Sequence, residues 1–564
     1  MLKLLILGAG TGGSTVANVL ASKLDEHEAQ ITVIDRTDTH YYQPGFLFIP
    51  FKLYGFVDEN DVTKPVSDIL SKSIEFVQAE ITRIDPKGNT VQTSEGDFEY
   101  DWLICALGCH VAADEIDGCA EAMGKDVHTF YTLPGALAMQ QALSNMDHGK
   151  LVIDIAESPI KCPVAPIESA FLADYCFSER GMRDKVDITL VTPYAGAFTK
   201  PNANKVLTKL AEQKNINIVS DFQLESVDSD NKQLVAYGGK TVDYDLACII
   251  APTLGPDVIL KSGLSNDMGY GITDPRTLKS KKADNVYFIV DNTDVPTSKA
   301  GSVSHFEAET VVTNLLREIK GDEPLPSYDG HSNCYIESGY HKALLVDFNY
   351  DVEPLQGVFP LPYVGPFTLL EESYVNHLGK IAFKWVYWNL VVSGRAPDIP
   401  FVPAHMSLVG KDLAGAPPLR EATSLTVAEL MTGNVFTTTT GTPVKAVARL
   451  LKEHAVSGLP VTGEQGNLAG IITTSDIINS LDINEETAAA KILATLIKHG
   501  RDKKLGSIVD DLMTTKLITI APGESILAAV ELMNKNNINR LIVSEDGHTI
   551  VGILARSDIL KVFH

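Results

Sequence analysis

A glycine-rich turn near the N-terminus restricts the fold of this chain more than any other feature. In chain order the motif comprises the apolar strand pattern 4–7, Gly8, Gly10, Gly13, the helix pattern 14–20, the strand pattern 30–34, Asp35 and Arg36. The first glycine makes a tight turn, the second admits a pyrophosphate, the third lets helix pack on strand, and the acid accepts from a ribose hydroxyl. We predict a dinucleotide site here, to which we also assign Arg36; the alternative is a tight turn without a ligand.

A second strand–turn–helix–strand pattern follows, but its turn lacks the glycines. The strand patterns 151–155 and 186–191 enclose the segment 160–166, in which Cys162 stands between prolines and before a helix pattern. Bulky side chains in this turn argue against the close approach of a pyrophosphate. A cysteine before a helix lies where the helix dipole stabilises a thiolate. We therefore predict thiol chemistry in this unit; the alternative is an inert buried cysteine.

Two further strands carry motifs that resemble the second and third FAD motifs of the two-dinucleotide flavoproteins. The strand 100–108 ends in Ala106, Leu107 and Gly108, and a later strand ends in Asp291. In that family the late acid binds ribityl or ribose hydroxyls. For Asp291 a helix cap or a turn remains the alternative.

The turn after Asp291 holds Lys299 and Ala300 and leads into the helix pattern 307–319. In the family this turn and helix face the isoalloxazine ring, and a helix N-terminus stabilises the electron-rich edge of the reduced flavin. We assign Lys299 and Ala300 to the flavin site. His305 is a further candidate for a flavin or proton contact. The alternatives are a surface cation for Lys299 and a capped core histidine for His305.

Three segments together resemble sulfide:quinone oxidoreductase and its relative, flavocytochrome c sulfide dehydrogenase, over residues 1–405. They are Lys161–Pro166, Lys299–Gly301 and Asn333–Tyr335. The resemblance implies that Cys162 and Cys334 lie on one face of the flavin as a redox pair, bridged by a disulfide or by polysulfur. Because the two cysteines are far apart in the sequence, the fold would have to bring them together.

The resemblance also implies a mechanism for these cysteines. Hydrosulfide attacks the bridge, a persulfide forms on Cys162, and the freed thiolate of Cys334 faces the flavin, so that two electrons pass to FAD and then to a quinone. Glu168 follows Cys162 as a carboxylate does in the family and is a candidate proton acceptor in a partly dry cavity. The alternative for Glu168 is a first-turn acid that the helix dipole favours.

The chain departs from the family in two places. No cysteine occurs in 127–132, where the membrane enzymes often carry a third one, and none occurs in 39–44, where the cytochrome-linked relatives attach flavin. We therefore expect non-covalent FAD and leave open how oxidised sulfur is released. Seven cysteines without zinc-finger spacing predict neither a disulfide scaffold nor a metal site.

An aromatic-rich helix pattern covers 378–392 and is typical of a helix lying in the plane of a membrane. The resemblance implies that this helix lies beside a quinone tunnel, as the C-terminal helices of the family do. We choose Phe359, Tyr363 and Phe367 as a quinone wall; the alternative for the helix is a core or dimer contact. The net charge of −25 argues against nucleic acid and against a membrane held by charge, so any membrane contact should be apolar.

The C-terminal part contains an internal repeat that closely resembles a tandem cystathionine-β-synthase (CBS) domain pair. The residues 429–432 and 470–477 recur 82 positions later as 511–514 and 552–559. Such pairs often hold the ribose of AMP, ATP or S-adenosylmethionine through a hydroxyl and an acid three residues on. Thr473 with Asp476 fits this rule, whereas Asp558 lacks the hydroxyl, so we expect one good site at most. The alternative is a purely dimerising module.

Together these features predict an α/β chain: two Rossmann-like domains of the glutathione-reductase type, C-terminal amphipathic helices and an α/β CBS pair. The predicted boundaries are 1–110 and 251–325 for the two parts of the FAD domain, 111–250 for the second Rossmann-like domain, 326–405 for the redox and membrane region, 406–424 for a linker and 425–564 for the CBS pair.

Three functions remain open from the sequence. The first is a flavoenzyme that oxidises sulfide, reduces quinone and senses adenosine nucleotides through its CBS pair. The second is an NADH:quinone reductase on the same scaffold, which the missing second glycine loop opposes. The third is a non-catalytic regulatory flavoprotein. Because CBS pairs need cytosolic nucleotide and no signal peptide is evident, we expect the protein on the cytoplasmic side, peripherally associated with the membrane. We also expect a homodimer or a higher homo-oligomer.

Overall fold

A computed structural model describes residues 1–361 and 365–395 and most of 425–479 and 508–558. The chain divides into two compact units, one of residues 1–359 and 366–411 and the other of residues 360–365 and 412–564. The fold is that of a flavin-type pair of dinucleotide-binding domains followed by a CBS pair, as the sequence predicts. The finer domain boundaries stay predictions.

The regular elements before the repeat are as follows. The strands are β1 (Leu2–Leu7), β2 (Ala29–Asp35), β3 (Thr39–Tyr41), β4 (Thr63–Pro65), β5 (Glu75–Gln78), β6 (Ile81–Asp85), β7 (Thr90–Thr93), β8 (Gly96–Glu99), β9 (Trp102–Cys105), β10 (His110–Val111), β11 (Val127–His128), β12 (Gly149–Ile155), β13 (Val186–Val191), β14 (Ile216–Val219), β15 (Leu224–Asp228), β16 (Gln233–Ala236), β17 (Thr241–Asp243), β18 (Leu246–Ile250), β19 (Thr253–Leu254), β20 (Val286–Phe288), β21 (Ser332–Gly339), β22 (Lys342–Phe348), β23 (Gly357–Leu361) and β24 (Gly365–Leu369). The α-helices are α1 (Thr11–Lys23), α2 (Cys119–Ala122), α3 (Leu133–Asn145), α4 (Ala165–Glu179), α5 (Pro201–Gln213), α6 (Asp257–Lys261), α7 (Gly301–Ile319) and α8 (Tyr374–Val386).

The first sheet is parallel and is built from two separate stretches of the chain, in the order β20-β9-β1-β2-β5. Its central strand β1 is an apolar run whose last four side chains are buried. Helices α1 and α7 cover one face of the sheet, and the antiparallel strands β6, β7 and β8 with helix α6 cover the other. The helices α1 and α7 pack against each other beside it. This arrangement places the glycine-rich turn at the carboxyl edge of the sheet, where ligands of open α/β folds bind.

The second sheet has the order β11-β18-β12-β13-β14 and is also parallel. The strand β12 leads through the Cys162 turn into α4, which crosses back to β13, so the βαβ unit that the sequence predicts is present. Nearly every residue of α4 from Ala165 to Asp174 is buried. The Cys162 turn therefore stands on a rigid, fully packed helix.

The antiparallel hairpin of β21 and β22 lies where three helices meet. The strand β21 packs against α4, α7 and α8, and α8 also crosses β22. In the hairpin Cys334 stands opposite Val346 and Ser332 opposite Phe348. Because α4 begins just after the Cys162 turn and α7 begins at the flavin-motif turn, β21 brings Cys334 to the junction of both.

The last segment of this unit docks on the first helix. After α8 the chain forms a π-helix, Tyr387–Val391. The Tyr387 hydroxyl bonds both Thr11 Oγ1 and His40 Nε2 at 2.7 Å, and His40 Nδ1 bonds the carbonyl oxygen of Ala9 at 2.8 Å. Burial lowers the pKa of His40 to about 4, so this histidine is neutral at pH 7. The Asn18 side chain donates to the carbonyl of Val392 at 2.6 Å. The glycine-rich turn and the end of this unit are thus held together.

The second unit consists of two similar halves. Its described strands are β25 (Thr438–Thr439), β26 (Gly458–Thr462), β27 (Leu468–Thr473), β28 (Thr519–Ile520), β29 (Arg540–Val543) and β30 (Gly552–Ala555), and its described α-helices are α9 (Val427–Leu430), α10 (Val444–Glu453), α11 (Thr474–Asn479) and α12 (Ile526–Lys535). Each half has a three-stranded sheet, β25-β26-β27 or β28-β29-β30.

The two halves exchange contacts reciprocally. A Cβ placed on Gly470 would meet Met513 Sδ at 2.5 Å, and one placed on Gly552 would meet Met431 Sδ at 2.4 Å. Each glycine therefore makes room for a methionine of the other repeat. This equivalence is the pseudo-twofold packing that the sequence repeat predicts.

Candidate functional site

The Cys162 turn is held in an unusual backbone conformation. Cys162 has a φ of 43°, a left-handed value that is uncommon outside glycine. Its N–H donates to the carbonyl of Lys299 at 2.7 Å, and its own carbonyl accepts from the Tyr131 hydroxyl at 3.1 Å and from the Ala165 N–H at 2.9 Å. Bonds from both sides of the turn therefore fix the cysteine against the loop that precedes α7.

The Cys162 and Cys334 side chains are hydrogen-bonded to each other, and both cysteines are half-buried free thiols. The pKa of Cys334 is lowered, first because Cys162 donates to its sulfur and also because the Lys380 ammonium is near; Ser302 supplies a further hydrogen bond. The pKa of Cys162 is raised by donation to Cys334 and by burial. The lowered pKa of Cys334 favours a thiolate on that residue. The argument that the α4 dipole favours a thiolate on Cys162 stays a prediction.

A buried ion pair lies beside the two sulfurs. Lys380 Nζ is 2.7 Å from Glu168 Oε1 and donates to the carbonyl of Tyr335 at 2.9 Å. Burial raises the pKa of Glu168, and Lys380 opposes that effect; Glu168, with the two cysteines, raises the pKa of Lys380 against the effect of burial. Glu168 Oε2 has no hydrogen-bond partner among the described residues. Glu168 thus keeps one oxygen available for a proton, which a capping acid would not need.

A second buried acid–base pair lies next to the first. His377 Nδ1 is 2.9 Å from Glu337 Oε2, and the Tyr54 hydroxyl donates to Glu337 Oε1 at 2.9 Å. The Glu337 N–H donates to Glu168 Oε1 at 2.8 Å, so the two pairs share a hydrogen bond. Glu337 is fully buried and His377 is 5% exposed.

Aromatic rings lie near Lys380. The ring centroids of Tyr335 and Phe367 are 6.0 Å apart, and Lys380 Nζ lies 5.5 Å from the Phe48 ring centre. A Cβ on Gly379 would come within 2.8 Å of the Tyr335 ring, so a glycine is needed there for α8 to approach. Of the predicted quinone residues Phe367 lies at this wall.

The other two predicted quinone residues are not placed. The side chain of Phe359 and the whole of Tyr363 lie outside the described residues.

The glycine-rich turn has the close contacts that its motif requires. A Cβ on Gly13 would stand 1.9 Å from the Gly8 carbonyl oxygen, and one on Gly8 2.4 Å from that of Ala106, whereas at Gly10 nothing lies within 4 Å. Asp35 Oδ2 accepts from the Ala9 N–H at 2.7 Å and so shapes the turn from within. Space for a ligand is therefore left beside Gly10.

The Arg36 side chain is exposed beyond the second strand.

The flavin motifs leave polar groups that a bound flavin would satisfy. Asn292 is fully buried, and its Oδ1 accepts from the Leu107 N–H at 3.4 Å, but its Nδ2 has no partner among the described residues. An unpaired buried amide costs about 1–3 kcal/mol. Gly108 has a φ of 70°, so the chain turns sharply there, and Asp291 Oδ2 lies 3.9 Å from Cys109 Sγ. These features fit FAD.

The predicted Lys299 and Ala300 stand at the start of α7. Lys299 is 8% exposed, donates from Nζ to the Thr293 carbonyl at 2.7 Å and lies 4.4 Å from the centre of the Tyr270 ring. It is therefore a core cation and not a surface one. Ala300 is the N-cap of α7, whose first turn carries no acid, so the positive end of the helix dipole is not neutralised. The His305 ring lies 5.6 Å from that of Phe306.

The predicted nucleotide residues of the CBS unit differ between the repeats. Asp476 Oδ2 accepts from the Thr473 N–H at 2.8 Å and from its hydroxyl at 2.7 Å. In the second repeat Asp558 accepts from the Ala555 N–H at 2.8 Å, and the alanine side chain has no hydroxyl to match that of Thr473. Burial lowers the pKa of Arg540, which Asp476 raises in part, so a cation stands near the first acid.

Sequence reasoning missed several groups at the thiol site. Lys380 and His377 lie three residues apart on α8, and Glu337 follows Cys334 by three residues on β21. Lys380 gave no usable signal, because a lysine on an amphipathic helix has the pattern of a surface residue. Tyr54 gave no signal, because the short loop that positions it has no motif.

The helix α8 presents an apolar stripe outward. Tyr374 is 55% and Leu378 40% exposed, and Ile381 and Trp385 continue the same face half-buried. Lys384 lies 4.4 Å from the centre of the Phe56 ring beside this stripe. Within the described parts of the chain no helix is both long and apolar enough to cross a membrane.

Comparison with protein families matches two regions of the chain. Residues 2–153 match the pyridine nucleotide-disulphide oxidoreductase family, and residues 427–483 and 509–564 match the CBS domain. A mitochondrial sulfide:quinone oxidoreductase of Dictyostelium discoideum is 29% identical over 402 residues, which are 70% of this chain and 86% of the relative. A type II NADH:quinone oxidoreductase of Staphylococcus aureus is 36% identical over only 107 residues, 19% of this chain and 26% of the relative.

A solved structure supports the same fold. The X-ray structure of the sulfide:quinone oxidoreductase from the hyperthermophilic bacterium Aquifex aeolicus aligns with a TM-score of 0.58 at 21% identity, covering 70% of this chain and 93% of that one. Together these matches identify an oxidoreductase scaffold and imply a flavin cofactor.

Proposed function

We propose that this chain, a sulfide:quinone oxidoreductase-like flavoprotein joined to a CBS domain pair, oxidises sulfide at Cys162 and Cys334 and passes the electrons to a quinone. The observation that supports this most directly is the hydrogen-bonded pair of thiols from distant parts of the chain, set beside the buried Lys380–Glu168 pair. Free cysteines that serve only packing have no need of a buried cation.

The proposed sulfur chemistry starts from the bridged form of the pair. Hydrosulfide attacks Cys162 Sγ, a new sulfur–sulfur bond forms there, the bridge breaks, and Cys334 leaves as a thiolate. The Lys380 ammonium and the hydrogen bond from Ser302 stabilise the departing thiolate of Cys334, and both remain when Cys162 is bridged. The thiolate and the persulfide on Cys162 then rejoin through the added sulfur, which releases one proton and two electrons.

FAD held at the glycine-rich turn and the α7 N-terminus would accept this electron pair and return it to a quinone. The protein supplies the remaining functions. Lys380 stabilises negative charge on both sulfurs, and the unpaired Oε2 of Glu168 takes the released proton. Non-covalent attachment of the flavin follows from the absence of cysteine in residues 39–44.

The quinone would bind at the wall of Tyr335 and Phe367, beside Lys380. The exposed stripe of α8 supports a peripheral contact with a membrane, because an apolar helix face that lies in the interface brings such a wall to the quinone's own phase. Sulfide and quinone are thus the proposed substrates.

The CBS unit would bind an adenosine nucleotide at Thr473 and Asp476, since the acid and the hydroxyl lie together there, whereas Ala555 takes the place of the threonine in the second repeat. AMP, ATP and S-adenosylmethionine are the candidates.

Anaerobic addition of sulfide to the flavin-loaded protein tests the main proposal. We expect sulfide to bleach the flavin of the wild type and of Cys176→Ser, a half-buried cysteine elsewhere on α4, but not of Cys162→Ser or Cys334→Ser. Bleaching in all four proteins would rule out the cysteine relay. Rapid bleaching by NADH in place of sulfide would instead favour an NADH:quinone oxidoreductase.

A further inference from the structure

The thiol site is connected to the protein surface through the second acid–base pair. Glu337 lies between an inner and an outer group: its N–H donates to Glu168 at 2.8 Å, and its carboxylate binds His377 at 2.9 Å. His341, which is exposed, lies edge-on to His377 with ring centroids 5.4 Å apart. A line of titratable groups thus runs from the buried cavity to solvent.

The proposed reaction needs such a connection, and this inference rests on that proposed function. Hydrosulfide, one further proton and a quinone give a bound sulfane sulfur and a quinol. Hydrosulfide supplies one of the two protons of the quinol, and the other must come from outside a cavity where Glu168 is 1% exposed. The inner end of the line is Lys380, which donates to Tyr335 at the proposed quinone wall.

The charged and titratable groups packed around Glu337 come from several elements. They are Glu168 and Tyr175 on α4, Lys214 after α5, Glu372 before α8, Tyr374, His377 and Lys380 on α8, Tyr54 in the loop after β3, and His341 in the turn between β21 and β22. Tyr54 approaches both carboxylates: it bonds Glu337 and is close enough to Glu168 for that charge to raise its pKa.

We infer that Glu337 and His377 pass protons between the cavity of Lys380 and Glu168 and the surface at His341. Glu337 lies on β21, three residues after Cys334, and His377 lies on α8. Both act on the reaction through Glu168 and Lys380 and are therefore positioning residues, not catalytic ones.

A second buried histidine–carboxylate pair lies at the β21–β22 hairpin, and among the described residues no exposed histidine stands beside it. His331 Nε2 is 3.0 Å from Asp347 Oδ2, and both residues are almost fully buried. His331 Nδ1 and Asp347 Oδ1 have no hydrogen-bond partner within the described part of the chain. The His331 ring stacks on Phe306 at 4.4 Å instead of facing an exposed histidine. The His331–Asp347 pair therefore has the same chemistry and burial as His377–Glu337 but, over the ranges that the structure describes, no neighbouring group that connects it to solvent. It is the matched control.

The test measures reoxidation without sulfide. Flavin-loaded protein is titrated to full reduction with dithionite and mixed with a soluble quinone in weak buffer containing a pH-indicator dye. His377→Asn preserves the Nδ1-type donor to Glu337, and His331→Gln preserves the Nε2-type donor to Asp347. We expect His377→Asn to slow both proton uptake and flavin reoxidation at least about tenfold, more at pH 8 than at pH 6, while His331→Gln stays within about twofold.

Rescue distinguishes proton transfer from a loss of structure. Added imidazole should restore proton uptake in His377→Ala, and urea-unfolding midpoints of the histidine variants should agree with each other. Equal rates for His377→Asn and His331→Gln, or no rescue by imidazole, would overturn the relay while leaving the proposed function standing. A wild-type protein that quinone cannot reoxidise would contradict the proposed function and the relay with it.

Discussion

Two sulfurs of different acidity meet at the centre of this site. Cys162 donates its hydrogen bond and Cys334 receives it, so the negative charge of the reduced pair collects on Cys334, near Lys380 and Ser302. In the proposed reaction this difference gives the pair a direction: incoming sulfide would add to Cys162, and Cys334 would depart.

Lys380 should control the acidity of Cys334. Removal of its charge in Lys380→Met should raise the pKa of Cys334 by about 1–2 units, because a nearby opposite charge favours the thiolate by that order. Alkylation of Cys334 by iodoacetamide, followed by peptide mass spectrometry across pH, should move to higher pH by the same amount.

Lys384→Met is the control for this prediction. Lys384 lies one turn further along α8, over the Phe56 ring. An alkylation profile that is the same for both variants and the wild type would exclude the role of Lys380.

The sequence predicted the cysteines and Glu168 but not their neighbours. A motif marks Cys162, Cys334 and Glu168, whereas Lys380 on an amphipathic helix has the pattern of a surface residue. Its burial depends on how α8 crosses β21, which no local spacing records. The effect of Cys162 and Cys334 on each other's pKa was missed for a related reason, since the partner thiol comes from a distant strand.

At the scale of elements, β21 and α8 together make the site. The strand contributes Cys334, Tyr335 and Glu337, and the helix contributes Gly379, Lys380 and His377. Much of this could be predicted as element types: the strand 186–191 is found as Val186–Val191, and the aromatic helix pattern 378–392 is α8 with its π-helix. The π-helix was not foreseen, because it depends on the fit of Tyr387 against Thr11 and His40.

The apolar stripe of α8 predicts binding to lipid vesicles. Leu378→Glu should reduce binding to neutral phosphatidylcholine vesicles at least about tenfold, because it removes apolar area from the interface and adds charge. Cosedimentation measures the effect.

The control for the stripe is Leu260→Glu on α6, since Leu260 is 46% exposed, much as Leu378 is at 40%. Equal loss of binding in both variants, or no binding by the wild type, would show that α8 does not contact lipid.

At the scale of the whole molecule, a redox unit is joined to a CBS repeat. The repeat was readable from the sequence because its copies keep the same spacing. The difference between the copies was readable as well, since Ala555 stands where Thr473 stands in the first copy; that this leaves one good nucleotide site at most stays a prediction.

Nucleotide binding by the CBS unit should depend on the first repeat alone. Calorimetry of the full chain with AMP, ATP and S-adenosylmethionine should give heat for at least one of them in the wild type and in Asp558→Asn, and none in Asp476→Asn. Saturation at about 100 times the dissociation constant should stabilise the protein by about 2.7 kcal/mol. The absence of heat from all three ligands would leave the unit a purely dimerising module.

The hydrogen bonds that fasten Tyr387 and Val392 to the first helix have a consequence for biosynthesis. The glycine-rich turn is synthesised well before Tyr387 and Val392, which lie almost four hundred residues later in the chain. A chain that ends before these residues lacks the hydrogen bonds that hold the glycine-rich turn and the first helix. We therefore expect prematurely terminated copies of the protein to bind little flavin.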